Sequence, residues 1–98
     1  MPQQPAPRTM SVVVAAGTGT TTKNWGGKFL GYSIKAPSNT VSYALEVFDE
    51  DGFGVCGRRT YVGSYTVKDE GMSYRQTTVT ITSASEAGTF EVRFFMVT

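Results

Sequence analysis

Residues 40–57 read TVSYALEVFDEDGFGVCG. They contain an alternating stretch typical of a β-strand, followed by an acidic, glycine-rich loop. Large apolar side chains occupy every second position of the first half, namely Val41, Tyr43, Leu45 and Val47. This alternation predicts a β-strand with one face in a core and the other face outside it. The run Asp49-Glu50-Asp51-Gly52 then ends the strand, because Asp and Gly favour turns. The stretch therefore indicates an all-β fold.

Similar alternations recur along the chain. They predict strands at residues 9–16, 28–36, 41–48, 58–62, 64–68, 72–81 and 89–97, with a polar glycine-bearing connection over residues 17–27. About seven or eight short strands separated by frequent turns are typical of a single antiparallel β-sandwich, jelly-roll or immunoglobulin-like. No helical period persists in the sequence, so the fold class is all-β.

Three details of strand arrangement follow from the pattern. Residues 28–36 are expected to pair with residues 41–48, because only a short turn at residues 37–39 separates them. In the first of these strands, Leu30, Tyr32 and Ile34 are expected to share one face. In the last strand Phe90, Val92, Phe94 and Met96 share a face, and the opposite face also becomes apolar at Phe95 and Val97. That strand should be central in its sheet, or its outer face should meet another chain.

The length of 98 residues allows one domain with one core. Residues 9–98 are assigned to this domain. Residues 1–8 (MPQQPAPR) are expected to form an extended N-terminal arm, because proline fixes the backbone φ angle and removes amide donors. The net charge of +1 and the short apolar runs argue against nucleic-acid binding and membrane attachment.

Cysteine content and the N-terminus indicate the compartment of synthesis. The first ten residues lack the apolar core of a signal peptide, and a single cysteine, Cys56, excludes an internal disulfide. Synthesis in a reducing cytoplasm is therefore expected.

The sequence lacks the groups on which most catalysis depends. It contains no histidine, the commonest general base and metal ligand. Cys56 and the many hydroxyl side chains consequently lack the usual activating base. Scattered carboxylates fall in turns or on outward faces, where no substrate cleft is expected. We predict no enzymatic activity and no catalytic residue.

The acidic loop and the glycines around it resemble ligand-binding loops only in part. Counted as an EF-hand from Asp49, the loop has Phe53 at the fifth position and Thr60 at the twelfth, so too few oxygen ligands remain. The glycines at 52, 54 and 57 are followed neither by a helix nor by Gly-Lys-Ser/Thr, as a phosphate loop requires. We predict no metal and no cofactor.

Three features bear on partner binding. Trp25 either folds over one open end of the sandwich as a lid or acts as a contact anchor, since Trp is enriched at interface hot spots. Arg58 and Arg59, with Lys68 and Arg75, are either solvated charges or a basic patch that faces an acidic partner. The chain also carries more aromatic side chains than one small core is expected to bury, which favours a binding surface.

The proline-bearing arm, the single threonine-rich β-sandwich, the strand YALEVFDEDGFGVCG and the ending FEVRFFMV together resemble small virion proteins of tailed bacteriophages, in particular head decoration or cement proteins. The resemblance implies a noncatalytic homo-oligomer, often a trimer, that is located in the virion. Its partner would be the major capsid protein or another virion subunit, and it would clamp adjacent capsomers on the outer lattice. The arm that makes the shell contact in such proteins corresponds here to Pro2, Gln3, Gln4, Pro5, Pro7 and Arg8. We expect the chain to bind capsid subunits through this arm and one edge of the sandwich.

Two alternatives remain open. One is a structural domain of a phage tail or fibre. The other is a glycan-binding module in which Trp25 and exposed tyrosines stack on sugar rings.

Overall fold

The computed structural model describes residues 8–97, and this range folds into eight β-strands with no helix. The strands are β1 (Arg8–Val14), β2 (Gly19–Lys23), β3 (Gly27–Lys35), β4 (Ser42–Phe48), β5 (Gly54–Val62), β6 (Tyr65–Ser73), β7 (Thr77–Thr82) and β8 (Gly88–Val97). Among these residues no helix exists that could span a membrane. The all-β class is confirmed.

The strands form two four-stranded sheets that pack face to face around one core. Their orders are β1-β8-β3-β6 and β2-β7-β4-β5, and all the paired strands are antiparallel. This arrangement is an antiparallel β-sandwich, as expected from the sequence.

The strongest alternations in the sequence lie on the central strands. In β4 and the residue before it, Val41, Tyr43, Leu45 and Val47 are all buried. β8 lies between β1 and β3, and its alternating set Phe90, Val92, Phe94 and Met96 is buried as well. The prediction that β8 is a central strand is confirmed.

The predicted pairing of the second strand with the strand after it is wrong. β3 pairs with β6 and β8, whereas β4 pairs with β5 and β7 in the other sheet. Residues 36–41 connect the two strands, a longer link than the turn at residues 37–39 that the sequence indicated. Such a link can cross the ~10 Å between packed sheets. The apolar faces of β3 and β4 are thereby opposed across the core.

The predicted face of Leu30 is also wrong, because β3 contains a bulge. Its pairing register shifts between Phe29 and Gly31 with both neighbouring strands, so Phe29 is buried and Leu30 is 38% exposed. A bulge inserts one residue and reverses the side-chain alternation beyond it. Gly31 permits it, since a Cβ at this position would overlap the carbonyl oxygen of Val67.

The polar connection predicted over residues 17–27 contains an unpredicted strand, β2. Its hydroxyls bond to those of β7, Thr20 to Thr80 at 3.2 Å and Thr22 to Thr78 at 2.9 Å. Elsewhere the strands are longer than expected: β5 begins at Gly54, and β6 runs through the predicted turn at residues 69–71. The predicted strand at residues 72–81 is divided between β6 and β7.

Both long sides of the sandwich are closed by contacts between edge strands. On one side Thr21 Oγ1 of β2 donates to the Ser11 carbonyl of β1 at 2.7 Å. On the other, the Gly57 amide of β5 donates to Asp69 Oδ2 of β6 at 2.9 Å. A Cβ at Gly71 would overlap the Val55 carbonyl, so the two strands touch through their backbones. These contacts cover parts of the edge strands that could otherwise pair with a strand of another chain.

Candidate interaction site at the loop end

One end of the sandwich gathers three connections and the start of β1. The connections are residues 24–26, 49–53 and 74–76, and the register places the first residue of β1 and the last residues of β8 beside them. We call this end the loop end. The other four connections, residues 15–18, 36–41, 63–64 and 83–87, lie at the opposite end.

Trp25 lies at the loop end and covers the core there. Its partly buried indole meets Phe29 edge-on at a centroid distance of 6.4 Å and Phe94 at 5.8 Å. Its carbonyl accepts a hydrogen bond from Thr77 Oγ1 at 3.0 Å. The Arg8 guanidinium lies over the ring, with Cζ 5.4 Å from the centroid, which is cation–π geometry. Trp25 thus has the packing expected of a lid.

Glu50 ties two of the loops together. Its Oε1 accepts hydrogen bonds from the amides of Tyr74 at 3.0 Å and Arg75 at 2.7 Å. The bond from the Arg75 amide is the main cause that lowers the pKa of Glu50 from its ordinary value. Glu50 Oε2 is shielded from solvent and accepts no hydrogen bond from the described residues. The carboxylate is therefore a fixed negative group at the centre of the loop end.

Two large aromatic side chains project from this end into solvent. Phe53 is 69% exposed and Tyr74 is 77% exposed. Beside Tyr74 lies an open depression of about 400 Å³ that is lined by Asn24, Glu50, Arg75 and Gln76. Gln76 Nε2 donates to Asn24 Oδ1 at 3.2 Å across it. Exposed aromatic groups next to fixed polar groups are typical of a surface that binds a partner.

The acidic cluster of this end forms a turn. Carboxylate oxygens of Asp49, Glu50 and Asp51 lie within 4.8 Å of one another. Asp49 Oδ1, however, accepts the amides of Asp51 at 2.9 Å and Phe53 at 3.0 Å. Asp49 and Glu50 thus each accept two backbone amides. These two of the three carboxylates stabilise the loop conformation.

Apart from Trp25, the predicted site residues fall into three groups. Pro2, Gln3, Gln4, Pro5 and Pro7 lie outside the described residues. Arg8 is the first residue of β1, so the strand begins one residue earlier than predicted, and Arg8 contacts Trp25. Arg58 and Arg59 lie on β5, away from the loop end.

Two strands and one connection carry the residues of the predicted basic patch. Arg58 Nε pairs with Glu46 Oε2 at 3.0 Å and has a positive φ of 68°, at an irregularity of β5. Lys68 lies on β6 in the other sheet, and Arg75 lies in the connection between β6 and β7. The four cations are thus distributed over three elements.

Glu50, Phe53 and Tyr74 were not singled out as site residues from the sequence. Phe53 and Tyr74 each stand in a turn, beside Gly52 or Arg75, where an apolar residue has no strand face to bury it. This position of an aromatic residue in a turn was the sequence feature that could have identified Phe53 and Tyr74 as exposed. Their common location at one end depends on the topology, which the sequence pattern left undetermined.

Burial also perturbs a thiol and a tyrosine hydroxyl of the sandwich. Burial, with a smaller effect of the Asp69 carboxylate, raises the pKa of the half-buried Cys56 thiol to about 12. The hydroxyls of Tyr32 and Tyr61 share a buried hydrogen bond of 2.8 Å, and burial raises the pKa of Tyr32 above its ordinary range. The Cys56 thiol and the Tyr32 hydroxyl are therefore held in their neutral forms.

The fold and its loop end define a small antiparallel β-sandwich with an aromatic and polar surface at one end. No protein-family model matches the chain, and no curated protein matches it.

Proposed function

We propose that the chain is a noncatalytic structural protein of a tailed-phage virion, a decoration or cement protein that binds the outer surface of an assembled head. Attachment would use the N-terminal arm together with the loop end. The supporting observation is that Arg8, to which the arm is joined, lies on Trp25 at the end that also presents Phe53 and Tyr74. The proposed contacts of the arm and of the loop end would therefore be neighbours.

The closed sides of the sandwich favour the loop end over a sandwich edge. The hydrogen bonds from Thr21 to Ser11 and from Gly57 to Asp69 occupy groups that an added strand would need. A cement protein stabilises a shell because it binds the assembled state and not the dispersed subunits. Several linked copies would multiply a modest contact through avidity.

The test is co-sedimentation of the full chain with assembled heads of the phage that encodes it, compared with binding to dispersed capsid subunits. We expect binding to heads, and loss of binding when residues 2–7 are deleted with Arg8 retained. Tyr74→Ala should weaken attachment about tenfold or more, since aromatic anchors carry much of the energy of an interface.

Tyr65→Ala is the matched control, because Tyr65 is 51% exposed but lies at the start of β6, at the opposite end. It should bind as the unchanged chain does. Full attachment of both the deletion variant and Tyr74→Ala would refute the proposal. Attachment to a tail or fibre but not to heads would instead support the tail alternative.

A glycan-binding function is the second candidate, and the exposed aromatic groups favour it. Tyr74 beside Arg75, Gln76 and Glu50 offers a ring for stacking and polar groups for sugar hydroxyls. Trp25 is less suited than the sequence suggested, because its ring packs on Phe29 and Phe94. Saturable binding on a glycan array that is lost in Tyr74→Ala would favour this candidate over capsid attachment.

A further inference from the structure

The outer face of the sheet β1-β8-β3-β6 contains an apolar groove. Its largest side chains are those of Phe95 and Leu30, which are 37% and 38% exposed. The groove has a volume of about 430 Å³, and the rest of its lining comes from Gly31, Thr66, Val67 and Lys68. Met72, on β6, is exposed on the same face. A contiguous exposed apolar patch with polar groups at its rim is typical of an interaction surface.

The same face carries an excess of positive charge. Its exposed cations are Lys28 and Lys35 on β3, Lys68 on β6 and Arg93 on β8. Two exposed carboxylates share the face: Glu91, which is the cross-strand partner of Lys35, and Glu70 on β6. None of these groups belongs to the one ion pair found among residues 8–97. The cations outnumber the carboxylates, so the face is basic.

Three of the cations surround the groove. Lys68 lines it and is the cross-strand partner of Gly31. Arg93 lies two residues before Phe95 on β8, and Lys28 pairs with Val97, two residues after Phe95. Alternate residues of a strand lie about 7 Å apart on one face. The groove therefore has one cation at its side and one about 7 Å away in each direction along β8.

We propose that this face binds an extended acidic segment of a partner protein, with a large apolar side chain of that segment in the groove. An extended chain also directs alternate side chains to one face about 7 Å apart. A segment laid along β8 with the order carboxylate, spacer, apolar, spacer, carboxylate therefore places its carboxylates near Arg93 and Lys28. The apolar side chain supplies the anchor, and the complementary charges select the partner.

A protein segment fits this face better than another polyanion. The phosphate chain of a nucleic acid has no apolar side chain for the groove, and Glu70 and Glu91 oppose a continuous row of phosphates. A membrane surface would need a larger apolar area than this groove offers. The inference goes beyond the proposed function, because it uses a face other than the loop end and its test contains no capsid.

The experiment is fluorescence anisotropy of a dye-labelled peptide, Ser-Glu-Thr-Leu-Thr-Glu-Ser, titrated with the full chain at low ionic strength. We expect saturable binding with a Kd of roughly 1 mM or below. Binding should weaken at least about fivefold at ~0.5 M salt, because salt screens exposed charges. A peptide with Ser in place of Leu should bind at least about fivefold more weakly, since it lacks the apolar anchor. A peptide with Lys in place of both Glu residues should not bind.

Variants of the face test the contact from the other side. Lys68→Glu and Arg93→Glu should each weaken binding about fivefold or more, because each places like charges together. The double variant Lys68→Glu with Arg93→Glu should instead bind the lysine-substituted peptide. The matched control is Lys23→Glu, an exposed lysine on β2 of the other sheet, and it should bind as the unchanged chain does. Circular dichroism checks that every variant remains folded.

Loss of binding in Lys68→Glu and Arg93→Glu, with full binding by Lys23→Glu, would support the proposal. Absence of saturable binding, equal affinity for the lysine-substituted peptide, or binding that neither charge reversal changes would overturn it. Tighter binding of a single-stranded oligonucleotide, or of phosphatidylglycerol vesicles, than of the acidic peptide would overturn it as well.

Discussion

The hydroxyl pair of Tyr32 and Tyr61 shows how a polar group can be kept inside a small core. Each hydroxyl partners the other at 2.8 Å, and both residues are buried. Tyr61→Phe leaves the Tyr32 hydroxyl without this partner, which should cost about 1–3 kcal/mol of unfolding free energy. Tyr32→Phe with Tyr61→Phe should cost less than the sum of the single changes. Urea denaturation of all four proteins measures this, and strictly additive costs would contradict it.

The thiol of Cys56 should be nearly unreactive in the folded chain. With its pKa raised from 9.0 to about 12, little thiolate exists at pH 8, and the thiolate is the reactive form. Reaction with a disulfide reagent should be at least about a hundredfold slower in the folded chain than in denaturant. Comparable rates in the two states would show that the thiol is exposed and unperturbed.

Two loops of the loop end, residues 49–53 and 74–76, are joined through the carboxylate of Glu50. The folded-state pKa of Glu50 lies below its ordinary value of 4.5, so its bonds to the Tyr74 and Arg75 amides stabilise the fold above that pH. The stabilisation is lost as the pH falls through the lowered pKa, where the folded carboxylate takes up a proton. Glu50→Gln should therefore destabilise the chain at neutral pH and much less in acid. Denaturant curves at several pH values test this, and a cost independent of pH would contradict it.

The side formed by β5 and β6 depends on close backbone approach. Gly71→Ala would drive a Cβ into the Val55 carbonyl and should cost about 1–3 kcal/mol of stability. Gly54→Ala is the matched control on the facing strand, since its Cβ would meet only Glu46 Oε2 at 3.7 Å, an ordinary contact. Thermal unfolding measures the loss of stability in each variant. A loss for Gly71→Ala no larger than that for Gly54→Ala would contradict the prediction.

What could be predicted from the sequence depended on where each element lies. β4 and β8 are central strands that bury one full face, so their alternation was unambiguous. β2 is a threonine-rich edge strand that pairs with β7 and carries no apolar alternation, so it was not predicted. In β3 the bulge at Gly31 reversed the face of Leu30. An isolated glycine within a strand can mark a bulge, but it does not determine which neighbouring side chains change face.

The candidate site was predictable only in part, because its residues are brought together by the order of the strands. Trp25 was singled out by its residue type, and Arg8 as part of the arm. Their contact with each other, and their proximity to Tyr74, result from the order of strands in the two sheets. Strand order depends on long-range pairing, which local alternation does not determine.

At the scale of the whole molecule, the two sheets form a closed body whose one end presents Trp25, Phe53 and Tyr74 together with the attachment point of the arm. We propose that this loop end faces the surface to which the chain attaches. A density map of decorated phage heads tests it most directly. We expect the loop end against the shell and residues 63–64 and 83–87 pointing away from it. A map in which the loop end points outward would contradict the account.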